Sequence, residues 1–180
     1  MRSNNFVCFL LAGTGIFFSC LSLADNEGEV TGKNKVSSLC DTGDYIFFTC
    51  TTENKKIISL CGKGTEAKTA GVYYRFGRKG KIELDFPENK DEGSIEMFSY
   101  NRFPSEVVDA IAVSFDNNDY TYTIYDASVN IKTKAISETD ATLFRGVVVS
   151  KKGVDKSLAS IKCSSGYATN VFPDNAGNKK

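Results

Sequence analysis

Apolar and β-branched residues in this chain come in short runs cut by Gly, Asn and Asp clusters, a pattern that predicts strands and tight turns. Tyr45–Thr52 and Lys55–Cys61 flank Glu53-Asn54, and Val72–Phe76 and Lys81–Phe86 flank Gly77-Arg78-Lys79-Gly80. Each pair reads as a hairpin, the second with glycines where a positive φ is wanted. Ser94–Tyr100, Ala110–Phe115 and Tyr120–Tyr125 follow, and Leu143–Ser150 with Ser157–Cys163 make a final hairpin around Lys151-Lys152-Gly153-Val154. In Tyr120–Tyr125, Tyr120, Tyr122 and Ile124 fall on one face and Thr121, Thr123 and Tyr125 on the other, as in a strand with one buried face. The helical candidate is one short turn in Pro104–Ala110, with Pro104 opening it. Nine such segments without a strand–helix–strand rhythm predict an all-β domain, an antiparallel β-sandwich or closed β-barrel of about eight to nine strands.

The N-terminal end follows another pattern. Arg2 precedes an apolar run, Phe6–Phe18, broken only by small residues, and Ser22-Leu23-Ala24 then meets the polar Asp25-Asn26-Glu27. That order predicts a signal peptide over residues 1–24. Its 13-residue run falls short of the roughly 20 residues that span a bilayer, so the mature chain is expected to hold no transmembrane segment. Ser19-Cys20 offers a second reading, a lipoprotein acylated at Cys20. Residues 25–38, rich in Asn, Glu, Gly, Lys and Ser, read as a flexible leader and 173–180 as a flexible tail, which leaves 39–172 as a single β domain. Cleavage removes one of 22 basic residues and none of the 22 acidic ones, for a net charge of −1. That balance lacks the basic footprint of a nucleic-acid binder.

Of six cysteines, Cys8 and Cys20 leave with the signal, and Cys40, Cys50, Cys61 and Cys163 remain. An even number in an exported chain reads as two disulfides and places the protein in the periplasm or outside a Gram-negative-type cell. Spacings of 10, 11 and 102 residues without a histidine do not fit a zinc site. If the first hairpin turns at Glu53–Lys56, Cys61 falls beside residues 40–48, which pairs Cys40 with Cys61 and leaves Cys50 for Cys163; the other two connectivities stay open.

The absence of histidine excludes Ser-His and Cys-His nucleophiles and histidine metal ligands, and oxidised cysteines supply no thiolate. The expectation is a protein that is not an enzyme and holds no cofactor or metal. Asp41-Thr42-Gly43-Asp44 and Asp116-Asn117-Asn118-Asp119 lack the ligand order of a calcium loop and read as turns. Carboxylates are the remaining catalytic chemistry: Glu83 and Asp85 share a strand face, about 7 Å apart, in an acidic stretch that reaches Glu96. The same stretch reads as a solvated strand or as a contact surface for a basic partner. Arg75, Arg78, Lys79 and Lys81 crowd the second hairpin tip, where an anion is one possible guest. Arg75, mid-strand among aromatics, calls for a paired or stacked guanidinium.

Two stretches carry a resemblance. Phe47-Phe48-Thr49-Cys50 with Lys56 and Ser59-Leu60-Cys61, then Tyr74-Arg75-Phe76-Gly77 and Gly80-Lys81-Ile82-Glu83-Leu84, resemble small secreted or periplasmic proteobacterial proteins of uncharacterised activity. More distantly, the layout is similar to the bacterial lysozyme inhibitors, exported β domains that insert a Ser-Gly loop and a Lys-Gly segment into the lysozyme cleft. Ala70-Gly71-Val72-Tyr73 stands for the Ser-Gly-x-Tyr motif and Lys79-Gly80 for the Lys-Gly; alanine at position 70 departs from the pattern, and Ser165-Gly166-Tyr167 carries its letters elsewhere. The resemblance implies a partner surface at Gly71, Tyr73, Tyr74, Arg75, Arg78 and Lys79. The expected function is therefore a non-enzymatic exported binding protein whose partner is a protein or cell-envelope component, a lysozyme being the sharpest case. The alternatives are a carboxylate-dependent enzyme acting on envelope polysaccharide and a structural or assembly factor.

Overall fold

The computed structural model describes residues 37–65, 68–130, 141–154, 156–168 and 172. The expected signal peptide over 1–24, residues 25–36 of the expected leader and the expected tail over 173–180 lie outside the described residues. Nine strands form one curled antiparallel sheet: β1 Tyr45–Thr52, β2 Ile57–Thr65, β3 Lys68–Arg78, β4 Lys81–Phe86, β5 Ser99–Pro104, β6 Val108–Asn117, β7 Tyr120–Asn130, β8 Ala141–Lys151 and β9 Ser157–Ala168. Their order across the sheet is β4-β3-β2-β1-β9-β8-β7-β6-β5. Two meanders, β1 to β4 and β5 to β9, are thus joined at the centre by the first and last strands. The all-β expectation, its strand count and its antiparallel pairing hold. β4 and β5 are the two ends of the strand order, so the barrel expectation is met by a curled, open sheet.

Curling brings the inner faces of the meanders together. Phe86 at the end of β4 stacks on Phe115 of β6, centroids 4.4 Å apart and planes 19° apart, and Phe115 also meets Tyr74 at 4.9 Å and Tyr122 at 5.1 Å. Strand alternation builds this interior: Phe48, Leu60 and Tyr74 are register partners in turn, as are Cys50 and Ile58, while Val113, Ile124 and Val147 face them from the other meander. Burying each such side chain contributes about 1.5–3 kcal/mol, and aromatic pairs add about 0.5–1.5.

Several strands run beyond the segments read from the sequence, among them β3, β7 and β9, and three further boundaries move for a local reason. Lys55 sits at φ +59° in the β1–β2 turn, so β2 opens at Ile57. The segment Ser94–Tyr100 begins as a 3₁₀ turn, Ile95–Met97, because the Ser94 hydroxyl accepts the Glu96 amide (3.3 Å); the strand starts only at Ser99. Pro104–Ala110 holds no helical turn. Ser105 closes a tight link instead, its Oγ accepting Val108 N and its amide donating to Val108 O (2.9 and 2.7 Å), and β6 starts at once. A second 3₁₀ turn, Lys90–Glu92, is capped by the Asn89 side chain.

Both disulfides join the pairs that strand geometry favours, Cys40 with Cys61 and Cys50 with Cys163, with Cα separations of 5.5 and 5.7 Å. The first fastens a strap, residues 37–44 and ending in a turn at Asp41–Asp44, across the face of β1 to β3 that points away from the core. Ser37 and Ser38, assigned to the leader by composition, already belong to it: Thr49 Oγ1 donates to Ser37 O (2.9 Å), and the Leu39 amide donates to Ser59 Oγ (3.0 Å). The second disulfide ties β1 to β9 beside Gly166, the direct partner of Cys50.

Candidate functional site

The strap explains much of the sequence-predicted site. Arg75 lies on β3 beneath it, its Nη1 bonded to Asp41 Oδ1 (2.7 Å) and Leu39 O (3.0 Å) and its Nε to Asp85 Oδ2 (3.1 Å). Its guanidinium also lies 4.8 Å from the Tyr73 ring centroid, so it is both paired and stacked. Tyr73 is buried; its hydroxyl accepts the Asp41 amide (2.9 Å) and donates to Asp44 Oδ2 (2.8 Å), and burial drives its pKa far up. Tyr74 points into the core, where burial again raises the hydroxyl pKa. Gly71 packs edge to edge with Gly93: an added Cβ would sit 2.4 Å from the Gly93 carbonyl oxygen.

Of the six predicted partner-binding residues, Gly71, Tyr73, Tyr74 and Arg75 are therefore occupied within the fold. Ala70 to Arg78 belong to a strand rather than to an insertion loop, because Val72, Tyr73 and Tyr74 each have a ladder partner on β2. Arg78 and Lys79 are exposed at the hairpin tip.

The carboxylates are distributed rather than convergent. Glu83 bonds Lys56 (2.6 Å), which holds its carboxyl below the usual range, and Asp85 is committed to Arg75. Asp91 pairs with Lys63, and Asp41 bridges Lys90 and Arg75. A general acid needs its pKa pushed up, whereas the paired cations hold Glu83, Asp91 and Asp41 below the ordinary carboxylate range. Among the described residues, no three His, Cys, Asp or Glu side chains converge as a metal site.

Of the predicted partner-binding residues, those still open to a partner form a cationic corner. Arg78 Nη2 donates to Asn54 O (2.9 Å), which ties the β3–β4 tip to the β1–β2 turn. Gly80, at φ +77°, lets the chain reverse at the apex beside exposed Lys79 and Lys81. Next to the tips lies a cleft of about 350 Å³ between Asn54, Lys56, Phe76 and the start of β9 at Ser160 and Lys162. Phe76 forms an apolar floor, with the Lys56 ammonium 5.0 Å above its ring. Lys56 is neutralised by Glu83, whereas Lys79 and Lys162 form no ion pair with any described residue. The cluster at the tip was visible in the sequence. The cleft was not, since Lys162 comes from the far end of the chain and reaches it only through the β1–β9 pairing.

No helix among the described residues is long and apolar enough to cross a membrane, and two closed disulfides fit a protein outside the reducing cytoplasm. Comparison with protein-family models, curated proteins and solved structures returns no match for this chain.

Proposed function

We propose that this chain is an exported, non-enzymatic binding protein of the cell envelope that engages an acidic site on its partner through the cationic corner. The observation that carries this reading is the placement of Lys79: exposed, at the apex of a turn anchored to its neighbour by Arg78, and without an ion-pair partner among the described residues. The turn that carries it is tied down before binding, and its exposed ammonium is steered toward carboxylates. A lysozyme cleft, with its catalytic carboxylates, is the sharpest candidate partner, entered by the tip Arg78–Lys81 alone rather than by a loop starting at Ala70. Periplasmic or secreted placement accords with the disulfides and with the N-terminal signal pattern. A carboxylate-dependent enzyme gains no support from Glu83 and Asp85, which are ion-paired with Lys56 and Arg75.

The test is inhibition of c-type, i-type and g-type lysozymes by the purified protein, repeated with Lys79→Ala. Inhibition of one type that is lost in the variant supports the reading. No inhibition of any type removes lysozyme as the partner, and a pull-down from envelope extract with wild type and Lys79→Ala then tests the corner itself.

A further inference from the structure

A second cleft, of about 440 Å³, opens where the end of β4 meets the β6–β7 hairpin, and it shares no lining residue with the cationic corner. Its size falls within the roughly 300–1,000 Å³ of small-molecule sites. Its apolar side is Phe86, Pro87 and Met97 with Phe115 behind them; Phe86 is half-buried and Met97 is 42% exposed. The stacking of Phe86 on Phe115 fixes the aromatic wall in place.

Hydroxyls line it too: strand register puts Ser99, Ser114 and Thr121 together on the outer face of β5 to β7, around the β6 edge from Phe115. Ser99 and Ser114 are partners across β5 and β6, Ser114 Oγ lies 3.0 Å from Thr123 Oγ1, and Thr121 donates to Asp116 Oδ1 at 2.6 Å. Asp116 is also bridged to Lys152 (3.0 Å), so its charge is already balanced. Glu96, presented by the Ile95–Met97 turn, is exposed and forms no ion pair with a described residue. No Lys or Arg lines the cleft.

This lining selects a ligand by exclusion and by fit. Without a lining cation, an anion has no counter-charge. A purely apolar guest would strip water from Ser99, Ser114 and Glu96 with nothing in return. A molecule with an apolar C–H face and a rim of hydroxyl donors matches both kinds of lining residue. We propose that the cleft is a binding site for a neutral pyranose saccharide, its C–H face on Phe86 and Met97 and its hydroxyls donating to Glu96 and exchanging hydrogen bonds with Ser99, Ser114 and Thr121. The site is independent of the cationic corner, and its failure leaves that reading standing.

The experiment is an amide-shift titration of the purified protein with N-acetylglucosamine oligomers and, separately, with maltose oligomers. Saturable shifts confined to the region of Ser99, Ser114 and Thr121, with millimolar or tighter affinity for one series, are expected. Glu96→Ala should weaken binding about tenfold or more, because a hydrogen bond to a charged acceptor is lost, without moving the thermal midpoint. Met97→Ala should weaken it less, and Lys79→Ala should leave it unchanged. The proposal is overturned by the absence of saturable shifts with either series, by shifts centred elsewhere, by indifference to Glu96→Ala, or by a cleft that saturates with a diamine such as putrescine and with no sugar.

Discussion

Gly166 stands directly opposite Cys50 on the β1–β9 ladder, so close that a Cβ on Gly166 would lie 2.4 Å from the Cys50 Cβ. Its φ of +145° is also one that residues with side chains rarely adopt. Gly166→Ala therefore meets both a backbone penalty of about 1–3 kcal/mol and an overpacking penalty of similar size. Urea denaturation should show a loss of about 3 kcal/mol. A loss under 1 kcal/mol would mean that β9 shifts easily at this point.

The two disulfides differ in the loops they close, 21 residues for Cys40–Cys61 and 113 for Cys50–Cys163. In the chain-entropy account the first contributes about 3 kcal/mol and the second about 5. Replacing each pair by alanine and comparing denaturant midpoints should rank Cys50/Cys163 as the more costly loss. Equal losses would indicate that the strap contributes contacts beyond its cross-link.

Arg75 connects strap to sheet through two carboxylates, a carbonyl and an aromatic face, and Asp85 already has one buried oxygen, Oδ1, without a hydrogen-bond partner among the described residues. Arg75→Met should cost about 1–3 kcal/mol, since it leaves Asp85 without its counter-charge. Arg75→Lys should restore only part of this, because an ammonium does not reproduce the fork. Full rescue by lysine, measured by thermal unfolding, would reduce the role of Arg75 to charge alone.

Lys90, and after it Arg75, hold the Asp41 carboxyl below the ordinary carboxylate range. A carboxyl depressed in the folded state binds fewer protons than in the unfolded chain. Its contribution is therefore complete above the unfolded value near 4 and is lost as pH falls through the folded one. Hydrogen-exchange protection of the Leu39 amide, corrected for intrinsic rate, should fall across that acidic window in the wild type. In Asp41→Asn it should be lower at neutral pH and nearly flat through the same window.

The strands were legible because their signal is local: alternation in Tyr120–Tyr125 and glycines at Gly77 and Gly80 are written in adjacent letters. The disulfide pairing followed from one hairpin and a remainder. What escaped was non-local or rested on a single side chain. Ser105 converts an apparent helix start into a hairpin link, and Ser94 delays β5, each through one hydroxyl. Tyr73 and Arg75 looked like a binding surface because nothing in their neighbourhood announces that residues 37–44 lie over them. Glu96, Ser114 and Thr121 belong to separate segments and meet only once the sheet has curled.

The pairing of β1 with β9 has a bearing on how the chain acquires its structure. Each meander can assemble from neighbours in sequence, but the seam between them closes a loop of more than a hundred residues, the slow kind of contact to make. A polypeptide emerging N-terminus first exposes one flank of β1 until Ser157–Ala168 arrives. Its last dozen strand residues thus act as a clasp, and truncation there would leave two unfinished half-sheets rather than a slightly shorter protein.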